Sequence, residues 1–153
     1  MDEISECSTD RGVQVLLVPT DPYQAQLYNL VNDLRQQNGR PPFSWEERLT
    51  NAATGHITDL IVYGWFPDPH NVNINWVERI EQAGYTHWRA LRENCANNSG
   101  QLSARTVEAM FNQLKRSPPH LANMLATDVR DFGTAVGQGQ GTPSYCVMDF
   151  GRR

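Results

Sequence analysis

The sequence predicts an α+β domain, and two observations carry that reading. Amphipathic helical patterns come first along the chain, and two short strand patterns around a Gly-rich loop close it. Helices followed by an antiparallel hairpin belong to α+β folds rather than to alternating, parallel-sheet ones. The 153 residues suit one domain with a real core. With 13 Lys+Arg against 17 Asp+Glu, the formal net charge is -4. That balance argues against a nucleic-acid partner, which would need a basic face. No apolar run approaches the ~18 residues of a spanning helix, so no membrane span is expected.

The elements follow in order. Residues 1–19 read as a polar tail with a possible short strand at Val13–Val18, and residues 20–153 as the domain. Thr20-Asp21-Pro22 starts a helix with a capping residue and an early proline. Tyr23, Leu27, Leu30, Val31 and Leu34 then share one helical face, and Asn38-Gly39 ends it at about 22–38. A second helix reads from Ser44, as cap, to Tyr63, with Trp45, Leu49, Ala52, Ala53, His56 and Leu60 inward. Trp65 to Asn71 is a Pro-bounded loop. A third helix is predicted at about 74–83 and a fourth at about 104–116, stopped by Ser117-Pro118-Pro119. His120 to Ala126 suits a further helical turn. Asn97 to Gly100 suits a turn. Strands are expected at 132–137 and 144–150.

Few residues announce chemistry alone. The loop Gly137–Gly141 precedes Pro143 and a strand, so it reads as a hairpin loop and not as a phosphate cradle. Of the 4 histidines, His56 reads as a hydrogen-bonded core residue, while His120 stands in a proline-stiffened segment that can hold a functional side chain. His70 and Asp68 share the Pro-bounded loop. Cys7, Cys95 and Cys146 have neither zinc-finger nor CxxC spacing, so a structural zinc site is not expected. Residues 1–13 lack the apolar core of a signal peptide. The chain therefore reads as an exported protein without its targeting segment, or as a cytosolic one.

Several fragments, in order, resemble the CAP superfamily of cysteine-rich secretory, antigen 5 and pathogenesis-related 1 proteins, and its shorter bacterial members in particular. They are Leu30 to Arg35 with Gly39, Pro42-Phe43-Ser44-Trp45 with Leu49, Ala53-Thr54-Gly55-His56 and Gly64-Trp65-Phe66. Arg79-Ile80 with Ala83-Gly84-Tyr85, Glu93-Asn94, Ser117 to Asn123 and Asp149-Phe150-Gly151 continue the register. The resemblance implies a three-layer α-β-α sandwich with a central antiparallel sheet, in which Glu93-Asn94 begins a strand. It implies a cleft lined by two histidines and two acidic residues. Glu93 and His120 match two of those positions; Asp68 and Ser117 fall on the other two, with His70 close to the first. His120 and His70 are thus the candidate ligands of a weak divalent-metal site such as zinc. The same resemblance implies a Cys95–Cys146 disulfide, against the alternative of two buried free thiols.

The function expected from the resemblance is a secreted or extracytoplasmic, monomeric binding module for a small apolar molecule, lipid or sterol, or for an extracellular partner. The alternative is a hydrolase or protease-like enzyme using Glu93 and His120, with Ser117 or a metal assisting. No nucleophile elbow supports that alternative, and no resident cofactor is expected.

Overall fold

A computed structural model describes residues 18–64 and 75–153. Among these residues the order is α1 (Pro22–Gln37), β1 (Ser44–Trp45), α2 (Glu47–Tyr63), α3 (Trp76–Gln82), β2 (Ala90–Asn98), α4 (Ala104–Lys115), α5 (Pro118–Met124), β3 (Asp131–Gln138) and β4 (Ser144–Arg152). The strands form one sheet in the order β1-β3-β4-β2. The pairs β3–β4 and β4–β2 are antiparallel, and the two residues of β1 add a parallel bridge to β3.

Local chemistry sets most of these bounds. Asp21 caps α1, its Oδ1 accepting from the backbone N–H of Tyr23 at 2.8 Å, and Pro22 takes the first helical position. Gly39, at φ 70°, turns the chain out of α1. Ser103 and Thr106 close a capping box on α4. Pro118 and Pro119 end α4 and open α5, since proline lacks the N–H that a helix interior needs but its first turn does not.

Two bounds differ from expectation. The second helix starts at Glu47 with Glu46 as cap, not at Ser44. Ser44 and Trp45 are instead drawn into the sheet, where Ser44 donates to the carbonyl of Arg130 and Glu46 to that of Phe132. The strand carrying Glu93 starts at Ala90 and continues through Asn98, so Glu93 is interior to it and the expected turn begins later. Met1 to Leu17, with Cys7 and most of the possible early strand, lie outside the described residues, as do Asp68 and His70.

The sheet is the middle of three layers. On one face Leu27, Val31 and Leu34 of α1 and Val107, Met110, Phe111 and Leu114 of α4 pack on Phe132, Cys146, Met148 and Phe150. On the other face Ala53, Ile57 and Leu60 of α2 cover Ala135, Tyr145 and Val147, with Leu49, Ile80 and Tyr85 beside them. The period-2 alternation of β4 feeds both cores, so every residue of the strand but the last is buried. No helix among the described residues is long and apolar enough to cross a membrane.

The same alternation overturns the expected disulfide. Cys95 pairs with Val147, while Cys146 pairs with Ala96, so the two cysteines stand one residue out of register. Neighbouring positions point to opposite faces of a sheet. Cys95 joins the α2 face and Cys146 the α1–α4 face, and both are free thiols.

Candidate functional site

The Glu93-Asn94 pair sends one polar side chain to each face of β2. Asn94 is buried against α5, where its Nδ2 donates to the carbonyl of His120 at 3.0 Å and its Oδ1 accepts from Asn123 Nδ2 at 2.8 Å. These bonds tie the start of α5 to the sheet. They hold His120 in place through its backbone, and its ring is fixed by Ser117, with Oγ and Nδ1 2.7 Å apart. Ser117 stands at the cap position of α5 yet makes no capping bond, because its hydroxyl is committed to the ring.

Glu93 points to the other face and is ion-paired with Arg79 of α3, Nη1 to Oε2, at 2.7 Å. Asp149 lies directly across from Glu93 on β4. Its side chain is fully buried, and no N–H or hydroxyl donor among the described residues reaches either carboxylate oxygen. Burial, and then the charge of Glu93, push its carboxyl well above the usual carboxylate range.

His56 of α2 approaches the same place. Its Nδ1 is buried without a hydrogen-bond partner among the described residues, which departs from the hydrogen-bonded core histidine expected. Burial, and then the nearby Arg79, push the ring below its ordinary value, which favours neutral imidazole. Cys95, two residues beyond Glu93 on the same face, has its thiol pushed up, first by burial and then by Glu93 and Asp149. One ligating atom from each of His56, Glu93 and Cys95 lies within 4.8 Å of the others.

A groove of about 430 Å³ runs along the open edge of β2, the edge strand, lined by Glu93, Cys95, Gln113, Leu114, Ser117 and His120. Of the residues singled out in the sequence, Glu93, Ser117 and His120 therefore share one groove. The Glu93 carboxylate is bonded to Arg79 and the His120 ring to Ser117. The metal pair His120 and His70 has only His120 within the described residues. Sequence reasoning missed His56 and Cys95 as neighbours of Glu93. The usable signals were the inward placement of His56 on its helix and the i, i+2 spacing of Glu93 and Cys95 on one strand.

A second groove, of about 450 Å³, lies between Arg40 and α5, with Lys115 and Arg116 beside Leu121 and Leu125.

The family model described as cysteine-rich secretory protein family, CAP, matches residues 28–150. A search of curated proteins returns no sequence match. Among solved structures, an outer surface protein of Borrelia burgdorferi superposes with a TM-score of 0.72 at 18% identity, covering 89% of this chain and 96% of that one. An extracellular protein containing an SCP domain from Bacillus anthracis gives a TM-score of 0.70 at 18% identity, covering 90% of this chain but 45% of that one. Manganese-bound Ac-ASP-7, an Ancylostoma-secreted protein, gives 0.56 at 11% identity, covering 90% of this chain and 72% of that one. At such identities the likeness is one of fold.

Proposed function

The chain belongs to the cysteine-rich secretory protein (CAP) family, and from that premise we propose that it is an extracytoplasmic binding module for a small, largely apolar molecule with one polar end. The observation that carries this reading is the groove along β2. Leu114 and Cys95 offer an apolar wall, while Glu93, Gln113, Ser117 and His120 offer a few placed polar groups. Such a mixture, in a groove of about 430 Å³, is the usual make-up of a small-molecule site. The rigid framing of His120 by Asn94 and Ser117 lowers the entropic cost of holding a ligand's polar end. Relatives described as outer-surface and extracellular proteins support the proposed location.

Gln113 is exposed on α4 and can be changed without touching the core. Gln113→Trp should fill the groove and lower the affinity for a fluorescent fatty-acid probe at least fivefold, or about 1 kcal/mol. Unchanged binding in that variant would place the probe elsewhere, with the Arg40–α5 groove next in line.

The hydrolase alternative draws on the 2.7 Å contact of Ser117 with His120. A serine nucleophile also needs N–H donors aimed at the developing oxyanion. The helix start beside Ser117 is Pro118-Pro119, two residues with no N–H to give. The binding reading is therefore preferred, and ester hydrolysis lost in Ser117→Ala would reverse that preference.

A further inference from the structure

We infer that His56, Glu93 and Cys95 form a binding site for a borderline-soft divalent cation of the zinc type, set in the wall of the groove. The three donors come from two elements that the fold presses together, α2 and β2, with Glu93 and Cys95 on the same face of the strand. Their ligating atoms already lie within 4.8 Å of one another. Zinc bonds of about 2.0–2.3 Å at tetrahedral angles set donors roughly 3.3–3.8 Å apart, so small side-chain rotations close the site.

Two independent features point the same way. The buried Nδ1 of His56 lacks a hydrogen-bond partner among the described residues, and leaving such an atom unpaired is costly. A cation bound at Nδ1 would relieve that cost. Asp149 is fully buried across from Glu93 on β4, and no N–H or hydroxyl donor among the described residues reaches either of its oxygens. Arg79 faces both of these carboxyl groups and bonds Glu93 through Oε2. An ion held through Oε1 would add a second positive charge to two carboxyl groups that share Arg79, and Asp149 would stand beside it as a hydrogen-bonding neighbour of Glu93.

The donor set also selects the ion. A sulfur, an imidazole nitrogen and one carboxylate oxygen suit zinc or cobalt, whereas magnesium, calcium and manganese favour all-oxygen sites. Three protein ligands leave a fourth position for water or a ligand, and Glu93 and Cys95 both line the groove from which it would come.

The test uses the full chain, reduced and freed of metal, titrated with cobalt(II) alone. One equivalent should bind with a thiolate-to-cobalt charge-transfer absorption in the near ultraviolet, and zinc should displace it. Cys7→Ser and His120→Ala should keep the band. Cys95→Ser should remove it, and His56→Ala should weaken cobalt binding at least tenfold. X-ray absorption of the zinc-loaded, unmutated chain should show one sulfur among its nearest neighbours, which needs no variant to fold. No charge-transfer band at excess cobalt, a band surviving Cys95→Ser, or one lost in His120→Ala would each overturn this ligand set.

Discussion

Buried polar side chains in this protein work by bridging elements, and Arg35 and Tyr85 show how. Arg35 is 1% exposed; its guanidinium lies 3.7 Å over the Phe43 ring and donates to the carbonyls of Pro41, Met124 and Ala126. It closes the end of α5, whose last carbonyls would otherwise go unpaired. Burial, then Arg40 and Arg130, push it down to about 10, which leaves it charged at neutral pH. Tyr85, fully buried, packs its ring so closely on Gly151 that a side chain there would collide with it, and donates its O–H to Asp131 Oδ2 at 2.6 Å. Burial, then the bond to Asp131, push the phenol well above its ordinary 10.0. Above that pH the unfolded chain loses a proton that the folded one keeps. Stability then falls with pH by about 1.4 kcal/mol per unit for this one group. Tyr85→Phe should cost about 1.5–3 kcal/mol at neutral pH by removing a bond to a carboxylate. The gap to the unmutated protein should narrow in urea titrations above about pH 10. A gap constant with pH would mean that Tyr85 ionises as readily folded as unfolded.

At the scale of elements, the backbone of helix α2 lies directly against the sheet at Gly133 of β3, where only a glycine leaves it room. A Cβ at Gly133 would meet the backbone nitrogen of Thr50 and lie 2.6 Å from the carbonyl carbon of Leu49. Those are backbone atoms of α2, which cannot rotate away as a side-chain tip can. Gly133→Ala should therefore destabilise the fold by about 3 kcal/mol, the upper part of the overpacking range, in equilibrium urea unfolding. A loss under about 1 kcal/mol would show that α2 can ride outward at little cost. The close approach matters to the candidate site, because α2 also carries His56 toward Glu93 and Cys95. Helices such as α1 and α4 were legible because their apolar faces repeat at helical spacing within the segment itself. Strand β1 was not, since two residues become a strand only through a partner at 131–132, far along the chain. Strand β2 reads as Ala-Leu-Arg-Glu-Asn-Cys-Ala-Asn-Asn, and its Glu93 and Asn94 are satisfied by α3 and α5 rather than by any pattern of its own.

For the whole molecule, the legible part was the family and the layer order, and the hidden part was which face each residue of a shared strand takes. Glu93 and His120 could be found from matched fragments. The approach of His56 to Cys95 crosses from a helix to the sheet, and a one-residue offset between β2 and β4 decided that Cys95 would meet His56 instead of Cys146. That offset has a consequence for cooperativity. Strand β4 is paired on both edges and buried on both faces, so neither helical layer can leave without exposing it. Cys146 lies fully buried in this strand, on the side covered by α1 and α4. A thiol there is reached only when the sheet itself opens, and the opening should be global. In a Cys7→Ser, Cys95→Ser background, with a slow thiol reagent, labelling of Cys146 should therefore track the globally unfolded population. It should also rise with urea at the slope of the equilibrium transition. The unmutated chain, unfolded without reductant, should titrate all of Cys7, Cys95 and Cys146 as thiols. Fast labelling of Cys146 with a shallow urea dependence would mean that one helical layer detaches while the sheet persists, and the three layers would then not be a single cooperative unit.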